Sequence, residues 1–383
     1  MRKFTYAYVI LVAILFWNRI VLSQITTPPS GDNQKSTVTQ FMGLASVTVN
    51  YSSPNVHAPD GSDRAGHIWG ELVHWGYSNE QFGFSTEANP SPWRAGANEN
   101  TTITFSHDMK IEGHPIKAGT YGLFMSPQQD EWTIILSKSA NAWGSFYYEQ
   151  KDDALRFTVK PLSSAYEEWL TYTFEERELS SCTLQMRWEN LTVPMKIEVP
   201  DINALYYEKI KGELQGTTLG FTYHSWVDGA NFLVQKNYKL DEAKAWAQNA
   251  LKGQFYSTEN FETLSCMSNV LQAMGKTTEA DSVMKRAINN PTATPLEVHL
   301  YARGLQAQKK YNEALEIFKI NYKNHPDVAV TNLGMARGYS ATGDYKNALK
   351  YAKAALAIGA DDEPMRKTLE DGIKKLEEGK DFN

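Results

Sequence analysis

Arg94, Asn98 and Glu99 fall within one short stretch, spaced only by Ala95, Gly96 and Ala97. An arginine offers a planar fork of donors and a glutamate a pair of acceptor oxygens, so such a cluster can hold a small polar ligand. The same side chains can instead pair with each other, or with buried carbonyls, and brace a corner of the chain. The small spacers suit either use, because they let a backbone turn and approach its neighbour closely. Both readings stand on the sequence.

A second set, His57, His67 and His74 with Glu71 between them, lies in one loop-rich segment. Imidazoles that converge could collect a transition metal, and Glu71 with His74 could work as an acid/base pair. Spacings of ten and seven match no particular metal motif. Histidines beside Trp75 can equally pack and hydrogen-bond. The adjacent carboxylates Asp152 and Asp153, Glu167 and Glu168, and Glu175 and Glu176 read as solvated turns and strand edges, since neighbours in a strand face opposite ways. No glycine-rich phosphate loop, nucleophile elbow or cysteine metal spacing occurs. No cofactor is expected, and no catalytic residue can be assigned.

The elements that position these residues change character along the chain. Thr102, Thr104 and Ser106 alternate with Ile103 and Phe105, the two-residue period of a half-buried strand. Similar short runs cover residues 45–51, 109–125, 131–138, 154–160 and 168–175, with two more across 182–199. Turn residues separate them, which predicts an antiparallel β-sandwich or jelly roll. Seven of the ten Trp lie between Gln24 and Pro200; they can fill the core or, on an open face, form a platform for a sugar. Residues 76–92 form a long loop, a place where function concentrates.

Beyond Pro200 the period becomes helical. Residues 201–214 put Ile202, Leu205, Tyr206, Ile210 and Leu214 on one face, and Gly212, Gly216 and Gly220 loosen the chain after it. Ala280, Ala314 and Ala348 then recur at one constant step, which also relates Tyr311 to Tyr345 and Ala302 to Ala336. The step, about 34 positions, is the period of tetratricopeptide repeats, whose paired helices need small side chains where they cross. Ala243 marks an earlier copy with a short insertion, so four hairpins fit, closed by a polar cap over 364–375.

Residues 1–23 carry Arg2 and Lys3, an apolar run from Ala7 to Trp17, and Val21 and Ser23 ahead of Gln24, the pattern of a secretory signal peptide. The run, interrupted by Asn18 and Arg19, is too short for an ordinary membrane span, which needs about 20 apolar residues, so no span is expected after cleavage; an uncleaved anchor is the alternative. Removal takes away three positive charges and moves the net charge from −6 to −9. An acidic, exported protein is a poor candidate for nucleic acid. Residues 24–40 read as a flexible tether. Cys182 and Cys266, one in each compositional half, read as buried thiols.

Residues 51–54 (Tyr-Ser-Ser-Pro), Arg64 with Ile68-Trp-Gly-Glu-Leu72, Trp93-Arg-Ala-Gly-Ala-Asn-Glu99, Ala118-Gly-Thr-Tyr-Gly-Leu-Phe124, Glu131-Trp-Thr-Ile-Ile135 and Trp143-Gly144 follow one another in an order that resembles the DUF2911 family of exported bacterial proteins. The resemblance covers residues 45–199. It implies a β-rich domain without an established activity and an origin among Bacteroidota-like bacteria, and it carries over no catalytic residue. Simpler members join the Gly-Glu-Leu segment to the Trp-Arg motif by a few residues, whereas residues 77–92 intervene here and could complete a site next to Arg94.

The expected organisation is therefore a two-domain α+β chain: signal peptide 1–23, tether 24–40, β-sandwich 41–200, helix and linker 201–222, and tetratricopeptide-like repeats 223–383. The expected function is that of a periplasmic or secreted binding or scaffold protein whose repeat groove holds a protein partner. The alternative is an enzyme or receptor for a small ligand or a carbohydrate, centred on Arg94, Asn98, Glu99 and Glu71.

Overall fold

The computed structural model describes residues 33–58, 61–359 and 361–383. The expected signal peptide and the first part of the tether lie outside the described residues. The chain divides between Ile202 and Asn203 into two compact units.

Among the described residues, the first unit is built of ten strands in two antiparallel sheets. They are β1 (Gln34–Met42), β2 (Ala45–Ser53), β3 (Thr102–Phe105), β4 (Met109–Ile111), β5 (His114–Ile116), β6 (Gly119–Ser126), β7 (Trp132–Ser137), β8 (Asp153–Val159), β9 (Leu162–Glu175) and β10 (Ser181–Glu198). One sheet runs β1-β2-β3-β6-β7-β8 and the other β5-β4-β10-β9. The period-two reading of the central strand holds: Ile103 and Phe105 are buried while Thr102 and Thr104 are half-exposed. Rings meet across the two sheets, Tyr51 of β2 lying 4.9 Å from Tyr172 of β9.

Two stretches differ from expectation. Residues 34–40 belong to the edge strand β1, in full register with β2 from Gln34↔Ser53 to Met42↔Ala45. Most of its side chains are exposed, so composition hid it: an edge strand is held by its main-chain ladder and needs little apolar burial. Residues 181–198, read as two strands, form a single one whose pairing with β9 shifts between Arg187 and Leu191. The irregularity centres on Glu189, which is buried, adopts a φ of 54° and accepts a hydrogen bond from the Gly66 amide at 2.6 Å. A bulge of this kind bends a strand without ending it.

The second unit is helical: α1 (Ile202–Gly216), α2 (Tyr223–Gln235), α3 (Leu240–Leu251), α4 (Phe261–Ala273), α5 (Thr277–Ile288), α6 (Pro295–Ala307), α7 (Tyr311–Asn324), α8 (Ala329–Ala341), α9 (Tyr345–Ile358) and α10 (Glu363–Glu377). Helices α2 to α9 pair in sequence order into hairpins, as the repeat reading expects. Ala243, Ala280, Ala314 and Ala348 occupy the second helix of each and are all buried, as close crossing requires. Thr294 and Glu297 close a reciprocal cap at the start of α6, where Pro295 needs no amide partner.

Candidate functional site

The Arg94 stretch is a tightly braced corner. Trp93 exchanges both main-chain hydrogen bonds with Met125 on β6, at 2.8 Å each. Ala95 and Asn98 adopt φ values of 53° and 58°, the left-handed region that few non-glycine residues enter. The surrounding structure holds them there: the Ala95 carbonyl accepts from Thr101 Oγ1 and from the Tyr172 hydroxyl, both at 2.8 Å. A Cβ on Gly96 would come within 2.7 Å of Thr101 Oγ1, so only glycine fits between the corner and β2.

This corner separates Arg94 from Glu99. Arg94 is half-buried; its Nη1 donates to the Asn98 carbonyl at 3.1 Å and its guanidinium lies 5.6 Å from the Phe146 ring centroid. Burial pulls its pKa below the ordinary arginine value, opposed by Glu80. Among the described residues no carboxylate lies within ion-pair reach of it. Glu99 turns the other way, accepting from Lys35 Nζ at 3.2 Å and Ser52 Oγ at 3.4 Å. Its own amide, then Lys35 and Ser52, hold the carboxyl below its usual range despite some burial. Neither the expected Arg94–Glu99 pair nor a shared site forms.

Two cavities flank the corner. One, of about 290 Å³, is lined by Arg94, Asn98, His74, Arg64 and Glu80. The other, of about 420 Å³, is lined by Lys35, Glu99, Asn100 and Trp143. Glu80, from the long loop, was not singled out by its sequence context; its only signal is membership of that loop. Desolvation lowers the His74 pKa, with Arg94 acting in the same direction and Glu80, 3.7 Å away, opposing.

Each of the three histidines has its own carboxylate, which is why they do not gather around a metal. His57 Nδ1 lies 2.8 Å from Glu168 and its Nε2 3.6 Å from Asp63. His67 Nδ1 lies 2.9 Å from Glu71, and both side chains are exposed. Glu71 lines neither cavity. The hydrogen bonds to Glu168 and Glu71 raise the pKa of His57 and His67. Among the described residues no group of three His, Cys, Asp or Glu side chains is arranged to hold a metal ion.

Four of the seven tryptophans between Gln24 and Pro200 pack together, while Trp75, Trp143 and Trp169 stay exposed. Trp69, Trp93, Trp132 and Trp188 pack with centroids 5.0 to 6.4 Å apart. Phe82, Phe84 and Tyr147 stay exposed but meet edge to face at 72° and 88°, so these rings present no flat row for a sugar.

In the helical unit, polar side chains recur at the repeat spacing. Asn269, Arg303 and Arg337 occupy equivalent places on the first helices of successive hairpins, as do Gln272, Gln306 and Ser340. Arg303 Nη1 donates to Gln306 Oε1 at 2.8 Å, and Gln306 Nε2 to the Arg337 carbonyl at 3.1 Å, so the two repeats share one polar face. Leu296, Leu300, Arg303 and Ala307 follow one another on one side of α6, and both leucines are exposed. Residues 381–383 lie on this face. Ser340 Oγ donates to the Asp381 carboxylate at 2.6 Å, and the Phe382 amide donates to Ser340 Oγ at 2.8 Å. Arg303 and Arg337 donate to Asn383 Oδ1 at 2.9 and 3.4 Å. The repeat period located the buried alanines; the same step relates Arg303 to Arg337 and Gln272 to Gln306, the signal by which these polar positions could have been found.

Residues 33–197 match the model of a family described as DUF2911, protein of unknown function, and residues 298–360 match that of a tetratricopeptide repeat. A search of curated proteins finds no match. Among solved structures, tetratricopeptide-like repeats of a putative kinesin light chain from Podosopora anserina are 18% identical, covering 41% of this chain and 85% of that one with a TM-score of 0.29. YrrB, a tetratricopeptide protein with an unusual peptide-binding site, is 18% identical over 44% of this chain and 88% of that one, TM-score 0.28. MamA from Desulfovibrio magneticus RS-1 is 13% identical over 41% and 90%, TM-score 0.27. The protein thus joins a DUF2911 domain, residues 33–197, to tetratricopeptide repeats that take in residues 298–360.

Proposed function

We propose that the protein is a non-enzymatic binding scaffold, exported to the periplasm or beyond the cell, whose helical repeats hold a protein partner. The observation that carries this reading is the polar face of α6 and α8, whose side chains already engage a polypeptide segment, residues 381–383. Stacked repeats offer such faces as extended binding surfaces. Export is supported by the charged and apolar pattern of residues 1–23. The test places a photo-crosslinking side chain at Leu300, on the exposed side of α6, or at Lys350 on α9, in the full chain. Crosslinks to a partner from position 300 and none from position 350 are expected; equal labelling from both positions would remove the groove from the account.

A second reading is favoured by one observation, the half-buried Arg94 guanidinium that faces the 290 Å³ cavity without a carboxylate partner among the described residues. Arg64 lines the same cavity, with Glu80 its one carboxylate, so a small anion is the ligand that its two guanidiniums suit. Thermal shift with a panel of carboxylates, phosphates and acidic sugars tests it. A ligand at about 100 times its Kd stabilises by roughly 2.7 kcal/mol. That gain is expected in the native chain and not in Arg94→Met; a panel that shifts neither protein leaves the corner a structural brace.

A further inference from the structure

The face on α6 and α8 is unevenly satisfied. Phe382 is buried, with the Arg337 guanidinium 5.1 Å from its ring centroid, and a Cβ on Gly372 would strike that ring. The neighbouring residue meets the two guanidiniums without a charge. The Asn383 amide oxygen accepts from Arg303 and Arg337 while its Nδ2 donates to the Arg337 carbonyl at 3.2 Å and to Asp381 Oδ1 at 3.0 Å; with residues 381–383 displaced, and Asp381 with them, a carboxylate would form stronger, charge-assisted bonds to the same guanidiniums. Among the described residues, neither Arg303 nor Arg337 has a carboxylate within ion-pair reach, and Arg337 Nε is buried without an acceptor. Such an atom costs free energy until something supplies the missing bond. Room remains beside the segment: a cavity of about 230 Å³ is lined by Arg303, Gln306, Tyr311, Asp381 and Asn383.

We infer that this face takes an extended polypeptide segment in which a side-chain carboxylate adjoins an aromatic ring, and that residues 381–383 are a built-in stand-in which such a segment displaces. The inference rests on the reading that the repeats hold a protein partner, and it adds the chemistry of the segment held. The ring fills the place of Phe382 against Gly372 and Arg337. The carboxylate replaces the Asn383 amide between Arg303 and Arg337. Occupancy in cis lowers the apparent affinity for any such segment by the fraction of chains whose face is free.

The probe is a synthetic, labelled peptide of residues 376–383, amidated at its end and carrying aspartate in place of the final asparagine. Its affinity is measured by fluorescence anisotropy for three full-length chains: native, Asn383→Ala and Asn383→Asp. Asn383 is exposed, so neither change disturbs the core. Loosening the stand-in with Asn383→Ala is expected to strengthen peptide binding about tenfold, and Asn383→Asp to weaken it about tenfold. In the native chain, saturating peptide should speed hydrogen exchange of the Phe382 amide, which is freed from Ser340. Equal affinity in all three chains, or peptide bound while that amide stays protected, would show a fixed brace and overturn the inference. A chain that still crosslinks a partner from position 300 under those outcomes keeps the scaffold reading, so the two failures are distinguishable.

Discussion

Replacing Trp132 by Ala is expected to cost the β-unit about 3–5 kcal/mol, the usual penalty for deleting a fully buried aromatic ring. Trp132 is 0% exposed on β7 and stands 5.0 Å from Trp69 and 6.4 Å from Trp93. Trp69 belongs to the bend that carries Arg64 and His74, and Trp93 directly precedes Arg94. The lost ring therefore removes the surface on which both walls of the cavity beside Arg94 rest. Domains hold together by only about 5–15 kcal/mol, so the variant should retain little. Trp132→Phe separates packing from polarity. The Trp132 Nε1–H is buried and meets no acceptor, so its loss forfeits no hydrogen bond, and the cost should stay below about 1.5 kcal/mol apart from the volume removed. Hydrogen exchange of the β6 and β7 amides reads both variants in the full chain. An Ala variant less than about 1 kcal/mol weaker than native would mean that the four indoles are not what anchors the corner.

Burial was legible in the sequence wherever an element is regular or repeated. Period two placed Ile103 and Phe105 in the core, and the repeat step placed Ala280, Ala314 and Ala348 at the helix crossings. The edge strand β1 was invisible because its stability comes from main-chain pairing, which leaves no trace in side-chain types. The bulge at Glu189 was invisible for a related reason: its φ of 54° answers to the Gly66 amide, a partner 123 residues away.

The site was less legible than the fold. Proximity in sequence suggested that Arg94 and Glu99 act together, yet two left-handed residues, Ala95 and Asn98, turn the chain between them and send the side chains into different cavities. Backbone reversal at a non-glycine residue has no reliable sequence signal. Conversely Glu80 and Arg94, well separated along the chain, meet at one cavity. The histidines failed to converge because each found a nearer carboxylate, His67 in Glu71 and His57 in Glu168.

Acidification should loosen the helical unit through a single buried imidazole. His299 on α6 is 6% exposed, packs 5.3 Å from the Phe318 ring, and has Nδ1 buried without a hydrogen-bond partner. Burial, then the Arg337 and Arg303 charges, push its pKa down to about 4 from 6.5, against a hydrogen bond to the Val330 backbone. The sign follows from proton binding. Between pH 6.5 and 4 the unfolded chain carries the His299 proton and the folded chain does not, so stability rises with pH across that window and is lost as pH falls through it. The loss at the bottom of the window is about 3 kcal/mol. Asp381 acts lower: burial alone would raise its carboxyl, but the Ser340 and Asn383 donors hold it below the usual range, so its contribution disappears only beneath the His299 window. Denaturation of the full chain at pH 7 and pH 4.5, followed by the helical signal, should show the destabilisation in the native protein and a much smaller one in His299→Leu. Equal pH dependence in the two would place the effect elsewhere. The acidic peptide adds a further check, because a carboxylate set between Arg303 and Arg337 offsets the charges that depress His299. Its binding should raise the imidazole pKa and shrink the native protein's pH dependence toward that of the variant.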